Sequence, residues 1–531
     1  MNNYDEIRVN EGLCLRIKRF FFVKLKDKIF LKGISTVIGA SLLNFIAGGI
    51  FSVCQLLLYH ISYIHHVNPN NNISLEKETF YYPTEKFTQH LMALICGFIY
   101  LKLGLHYTNL IGIGFLFFGY LALLLSKTFQ VDIFSMVLCG IGTGIIYYPS
   151  TANACEWFMN HNGVVIGIIE TMISLGSFFF NILGEKIVGE AEDKDNKNDD
   201  FYTKEEGKKF KNFMIYLIIF VLVFYALSFL LTFKKTQDKF TDTKNIQAKL
   251  LEEIDSDEGN VINNNLEDSA HSAFDEKQLE LISNADAPKK KYEFKKMLIT
   301  AIKSKELIIF TCIVILEAPL TSTIFSLYQP IGKLFPIKRN VLNSIGPMNF
   351  IFECIGGFVF GILCDYVPKK YLLIFIFGTD TIIAYFYCLT FGNSAMFFIF
   401  TNLASFTGGG FYSVKDYYLI RVFGVEVYVT IIAYVNFLAS ILVIALTPLV
   451  YHLETNGESN QNEGKEPSKV GYWIIFVIFG TCSIISLVLS LLIKDEAFDY
   501  EKKIEEKNIE NEQKLITGDN KTSTNTFNVE M

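Results

Sequence analysis

The stretch Gly361-Ile-Leu-Cys-Asp365-Tyr-Val-Pro-Lys369-Lys370 closes one long apolar run and leads into another. A glycine there lets two helices pack closely, a carboxylate four residues on can meet a helix N-terminus or a base, and paired lysines anchor at a membrane interface. In the first half of the chain, Gly97-Phe-Ile-Tyr-Leu101-Lys102-Leu-Gly104-Leu-His106 occupies the corresponding place. Such a recurrence points to two halves built on one plan. Composition names the solvent around them. Of 531 residues, 51% are apolar or aromatic, only 19% are charged, Phe occurs 50 times, and mean hydropathy is +0.33. A soluble chain carries about 25% charged residues; this one has too little polar surface to cover itself in water. A disordered chain, a nucleic-acid-binding protein and a secreted disulfide scaffold are excluded as whole-chain readings.

A bilayer core about 30 Å thick needs roughly 20 apolar residues per helix. Runs of that kind lie near 33–59, 88–105, 108–126, 131–155, 162–184, 211–233, 306–332, 343–364, 371–391, 396–420, 425–451 and 471–493. The expected fold class is therefore an all-α membrane protein with twelve transmembrane helices in two six-helix pseudo-repeats. The boundaries that follow are an N-terminal arm (1–32), a first half (33–233), a linker (234–305), a second half (306–493) and a tail (494–531). Eight Lys or Arg against four acids in the arm place it in the cytoplasm, and an even span count returns the tail there. Lys333, Lys338 and Arg339 then fall outside, against the rule, while the Asn72-Ile73-Ser74 sequon falls in the first outer loop. No cleavable signal peptide is evident. A plasma-membrane location is expected, with an organelle membrane as the alternative.

Residues 250–286 hold eleven acids and one lysine, more than the whole net charge of −7. They read as a disordered tether between the halves, open to cytoplasmic partners. The ten cysteines lack CxxC or paired spacing, so neither disulfides nor a metal site is indicated. No cofactor is expected. A Walker sequence is absent, as is any Ser/His/Asp, Cys/His or HExxH constellation, which speaks against an enzyme.

A second repeat sets Gly142-Thr-Gly144-Ile-Ile-Tyr147-Tyr148-Pro149 in span four against Gly408-Gly409-Gly410-Phe411-Tyr412-Ser-Val-Lys415 in span ten. With the pair at 97–106 and 361–370, these motifs resemble the major facilitator superfamily, whose loops between helices two and three and between eight and nine carry such a signature. The first copy has Leu101 where the family's aspartate stands. Gly39 to Ser52 in span one, the glycines of span four running to Trp157-Phe158, and Phe423-Gly424 before span eleven resemble the oxalate/formate antiporter and monocarboxylate porter branch. The resemblance implies a secondary carrier, expected to be a monomer, gated through Gly361, Asp365, Lys369, Lys370, Gly97 and Gly104.

Ionisable groups within spans are costly and mark function by default. Helices one, four, seven and ten line the cavity in the resembled fold. That places Asn44, Gln55, Tyr147, Tyr148, Glu317, Tyr328, Gln329 and Lys415 near a midplane site. Glu317 and Tyr328 stand eleven apart on one face, and Asn44, Gly48, Phe51 and Gln55 share another. Lys415 reads as the one base well inside a span, about 12 Å from the cytoplasmic turn, either binding a substrate carboxylate or pairing with Glu353 or Asp416. Glu317 and Glu353 are the candidates for a coupled proton, since a buried carboxyl favours its neutral form. The expected ligand is a small organic anion, a monocarboxylate first, moved by proton symport or anion exchange. Yet the resembled carriers hold carboxylates with an arginine in helix eight, where this chain has Glu353, and with a lysine in helix one or eleven, where it has none. A carrier of amino acids or cationic metabolites, or a transport-inactive receptor, are the rivals.

Overall fold

A computed structural model of the chain describes residues 28–67, 77, 80–159, 161–188, 204–235, 294–335, 337–462 and 470–493. Twelve helical rods fill them. Span one is Lys28–Ala47 continued by Gly49–Val67, followed by Tyr81–Leu103, Leu105–Leu125, Phe129–Trp157, Asn162–Val188 and Lys204–Leu231 as spans two to six. Lys305–Leu334, Arg339–Cys364, Lys369–Phe386, Ser394–Phe423, Val425–Asn462 and Val470–Ser490 are spans seven to twelve. No strand occurs among the described residues. The sequon, residues 250–286 and the tail beyond 493 lie outside them. Residues 294–302, within the stretch assigned to the linker, form a short helix with Leu298 and Ala301 buried.

Ten of the twelve are apolar enough over their length to cross a membrane on that ground alone; spans two and ten are the exceptions. Both are loaded with polar side chains: Glu85, Lys86, Gln89 and His90 on one, Asn402, Lys415 and Asp416 on the other. Such helices survive in a bilayer only by turning those groups inward. Phe98 of span two and Met396 and Ile399 of span ten are exposed, while Glu85, Gln89, Asn402, Lys415 and Asp416 are buried. Hydrocarbon offers no hydrogen bonds, so the usual arrangement of a soluble core is partly inverted.

Helix approach at the polar positions depends on glycine. A Cβ on Gly144 would lie 2.2 Å from the Gln89 carbonyl, and one on Gly140 2.5 Å from that of Glu85, so spans two and four touch backbone to backbone. The second half repeats this between spans eight and ten, where a Cβ on Gly409 would lie 2.1 Å from the Glu353 carbonyl. The repeated glycines thus serve one packing rule, that of small residues in helix interfaces. They also pair Gln89 with Glu353 as equivalent positions in the two halves.

Three apolar clusters divide the bundle. One lies wholly within the first half and one wholly within the second. The third joins them, bringing Tyr148, Val165 and Ile166 together with Phe360, Tyr418 and Val427. It sits toward the end that carries residues 28 and 493, called inner below because the arm's charge assigns it to the cytoplasm. The halves are therefore sealed at the inner end.

Gly144→Ala is expected to lower the melting temperature of the detergent-purified protein, at a cost of about 1–3 kcal/mol for the forced separation of spans two and four. Gly114→Ala is the control: nothing lies within 4 Å of a Cβ there, so stability should hold or rise slightly. Equal melting shifts in the two variants would refute the close-contact account.

Candidate functional site

A cavity lies between the halves above the inner seal, lined from spans one, two, four, five, seven, eight, ten and eleven. Among its walls are Phe51, Tyr82, Lys86, Gln89, His90, Tyr147, Tyr148, Glu170, Glu317, Glu353, Tyr412, Lys415 and Asn436. Toward the outer end Tyr82 of span two meets Phe325 of span seven with ring centroids 5.6 Å apart, an aromatic contact across the halves.

Lys415 reaches the cavity from span ten, where it is 6% exposed. Its Nζ donates to Asn436 Oδ1 at 3.1 Å and lies 4.8 Å from the centre of the Tyr412 ring. Asn436 Nδ2 in turn donates to the Tyr148 hydroxyl at 2.9 Å, so a polar chain crosses from the second half into the first. Among the described residues Lys415 forms no ion pair with Glu353, Asp416 or any other carboxylate. Its charge is solvated by an amide and a ring face, both neutral.

Lys86 corrects the expectation that Lys415 is the lone base inside a span. Span two begins at Tyr81, so Lys86 lies within it and faces the cavity from the opposite half. Its Nζ donates to Gln89 Oε1 at 2.6 Å, lies 3.7 Å from Glu85 Oε2 and sits 4.1 Å from the Phe51 ring centre. The sequence reading started span two near 88 because Tyr-Tyr-Pro-Thr-Glu-Lys looks like loop. The usable signal was the spacing of Glu85 to Gln89 and Lys86 to His90, each one helical turn.

The acids divide by their partners. Glu317 accepts from Thr321 Oγ1 at 2.6 Å, Glu170 accepts from the Tyr147 hydroxyl, and Glu353 stands in the cavity wall with Ser174 of span five. Each lines the cavity. Asp380 of span nine is buried against span ten and accepts from Thr407 at 2.6 Å.

Other expected residues fall elsewhere. Tyr328 is buried in the second half's apolar cluster, outside the cavity wall. It shares a face with Glu317, but eleven residues carry it about 16 Å along the axis. Asn44 donates to the Ala40 carbonyl and is also off the wall. Between it and Phe51, the helix is interrupted at Gly48, where a Cβ would lie 2.2 Å from the Ile173 carbonyl of span five. That break turns the Asn44 face toward span five and leaves Ala47, Ile50 and Phe51 on the cavity. The side chains of Gln55 and Gln329 lie outside the described residues.

The residues expected to gate lie at the inner seal and are held there unevenly. Asp365 accepts from the Gly163 and Val164 amides, both at 3.0 Å, and so caps the N-terminus of span five. Gly361 permits this: a Cβ there would lie 2.4 Å from the Gly167 Cα. Lys369 turns back toward the Tyr417 ring, 5.8 Å from its centre, and Lys370 is half-buried. In the other copy Gly97 lies against Thr430 of span eleven, and Gly104 turns the chain at φ +77°, a conformation glycine adopts freely. Leu101 is exposed, so that copy has no cap.

The family model for the Major Facilitator Superfamily matches residues 87–329. The fold resembles the proton:xylose symporter XylE, bound to 6-bromo-6-deoxy-D-glucose, with a TM-score of 0.60 at 11% identity, covering 89% of this chain and 98% of that one. It also resembles the E. coli fucose:proton symporter FucP, with a TM-score of 0.54 at 11% identity, covering 87% of this chain and 99% of that one. An uncharacterised MFS-type transporter of Methanocaldococcus jannaschii is 27% identical over 170 residues. That similarity spans 31% of this chain and 44% of the relative. The family model covers 243 of the 531 residues, a little under half, and the full-length likeness to the two symporters shows the fold: a multi-pass membrane protein with the architecture of the Major Facilitator Superfamily. The matched proteins are transporters, not enzymes.

Asp365→Ala removes both acceptors from the span-five amides. The loss of a cap costs about 1–2 kcal/mol, so amide exchange at Gly163 and Val164 should quicken by roughly 5–30-fold, read by mass spectrometry of the peptide around them. Asp365→Asn, which keeps one acceptor, should fall between. Unchanged exchange in both would mean that Asp365 does not hold the inner end.

Proposed function

We propose that this protein is a secondary carrier that moves a small organic anion, a monocarboxylate first, by alternating exposure of the cavity to the two sides of the membrane. The observation that carries the reading is the pair Lys86 and Lys415, which face one cavity from opposite halves. Among the described residues Lys415 has no carboxylate within ion-pair distance and donates to a neutral amide, and Lys86 has Glu85 only at 3.7 Å. A poorly compensated charge in a low-dielectric interior is expensive unless an ion of opposite sign joins it. A carboxylate held between the two ammonium groups supplies that ion and draws the halves together. This replaces the arginine and lysine of the resembled branch with bases from spans two and ten.

Glu317 and Glu353 are the proposed seats of a proton that travels with the anion. Glu317 already accepts from a hydroxyl, and as a neutral acid neither needs a cation to stay in the cavity. The two symporters that share the fold are proton-coupled by their names, which supports this driving process without bearing on the substrate. A zwitterion such as an amino acid is the second reading, because the same cavity offers carboxyl groups to an ammonium.

Purified protein in liposomes should accumulate a labelled monocarboxylate when the outside is acid. Lys415→Ala and Lys86→Ala should each reduce uptake by about 10–100-fold, the loss of a charge-assisted contact of about 1.5–3 kcal/mol. Uptake of labelled amino acids in place of carboxylates would favour the zwitterion. Uptake of neither, or full carboxylate uptake by both variants, would overturn the reading.

A further inference from the structure

Three spans sort their cavity-facing groups by height. Span two enters from the outer end, so Tyr82 stands one turn outward of Lys86; span eight enters the same way, with Phe350 about one turn outward of Glu353. Span seven runs outward and carries Phe325 about two turns beyond Glu317. On each of them the ionisable group lies deep and a ring lies above it. The rings make one continuous row across the halves. Phe51 of span one lies 6.0 Å from Tyr82 by ring centroids, Tyr82 lies 5.6 Å from Phe325, and Phe325 lies 5.8 Å from Phe350. Their planes are tilted by 45°, 38° and 63° in turn, and all four rings line the cavity. A row of tilted rings offers both faces and edges, the contacts through which aromatic groups gain most from one another.

Both bases rest on this kind of wall. Lys86 Nζ is 4.1 Å from the Phe51 ring centre and 5.9 Å from that of Tyr82, and Lys415 Nζ is 4.8 Å from that of Tyr412. An anion that reaches either ammonium group therefore brings the rest of its body against a ring. The space left for that body is small. The cavity measures ≈ 160 Å³, close to the roughly 150 Å³ of an apolar protein cavity that takes up one benzene.

We infer that the anion is an aryl carboxylate: one planar aromatic ring seated against the row Phe51, Tyr82, Phe325 and Phe350, with its carboxylate turned inward to Lys86 and Lys415.

Other small anions use less of the wall. A short aliphatic acid satisfies the lysines and leaves the row facing water. A polyhydroxylated acid presses hydroxyls onto rings that return few hydrogen bonds, and so loses hydration without replacement. An aryl carboxylate meets both tiers at once. Because each tier has members in both halves, the ligand touches the two halves at two heights. The inference rests on the carrier reading for its carboxylate and its transport; the ring site rests on the row.

The test is calorimetric titration of the full chain in lipid nanodiscs, with uptake of the same acids measured in liposomes. Benzoate should bind about 10–100-fold more tightly than acetate, the gain from burying one ring. Cyclohexanecarboxylate has the bulk without the π-system and should bind about 2–10-fold more weakly than benzoate. Benzamide, the neutral counterpart, should bind about 10–100-fold more weakly. Phe325→Leu and Phe350→Leu keep an apolar side chain and should weaken benzoate severalfold more than acetate; Phe118→Leu, at an exposed ring of span three, is the control and should bind as wild type. Equal affinity for benzoate and acetate, equal affinity for benzoate and cyclohexanecarboxylate, or an unchanged preference in both row variants would overturn the aryl assignment. Benzamide bound as tightly as benzoate, or benzoate bound but never taken up, would sink the anion-carrier reading and leave the ring site standing. Uptake of acetate in preference to benzoate would do the reverse.

Discussion

Everything in this fold follows from the refusal of hydrocarbon to hydrogen-bond. A polar side chain on a membrane helix must find its partner inside the bundle, and helices must come close enough to supply one. Close approach here is backbone against backbone at Gly140, Gly144 and Gly409. The same approach sets Glu85, Gln89 and Glu353 beside spans four and ten, because the carbonyls met by those glycines belong to these residues. Packing and chemistry are thus not separate layers. The glycine that shortens the interhelical distance also fixes the register of the cavity wall.

This explains which parts of the molecule could be read from the sequence. Span number and order were legible, because hydropathy over twenty residues reports whether a helix tolerates lipid on some face. The ends of polar spans were not. Span two carries Pro83, Glu85 and Lys86 in its first two turns, and a window that averages over direction cannot tell an inward-facing charge from a loop. Lys86 was lost for that reason. The face rule placed Glu317 and Lys415 in the cavity and went astray for Asn44 and Tyr328, for two different reasons. A helix interruption at Gly48 changes which face follows which, and distance along the axis is a coordinate that periodicity does not contain. Asn436 and Tyr428 gave no local signal; their meaning arises only when span eleven is set beside spans four and ten.

The two halves share a plan but divide the labour. In the second, Asp365 reaches across to the first turn of span five; in the first, Leu101 stands at the equivalent position beside span eleven. The departure has a physical basis in register. Gly361 meets Gly167, four residues after Gly163, as Gly97 meets Thr430, four residues after Glu426. Position 101 therefore comes against the turn that holds Glu426, which is already the acid in the first turn of span eleven. A helix N-terminus gains from one nearby negative charge, worth about 0.3–1 kcal/mol, and a second carboxylate beside it would repel the first. Span eleven answers its own dipole from within, and the signature aspartate would be redundant there. The inner seal is consequently lopsided: a hydrogen-bonded cap joins spans five and eight, while spans two and eleven meet there by packing, Gly97 against Thr430. Opening that begins at the capped side must break the hydrogen bonds from two backbone amides, whereas the other side has only packing to lose, so the stiffer side of the seal is the one that Asp365 holds.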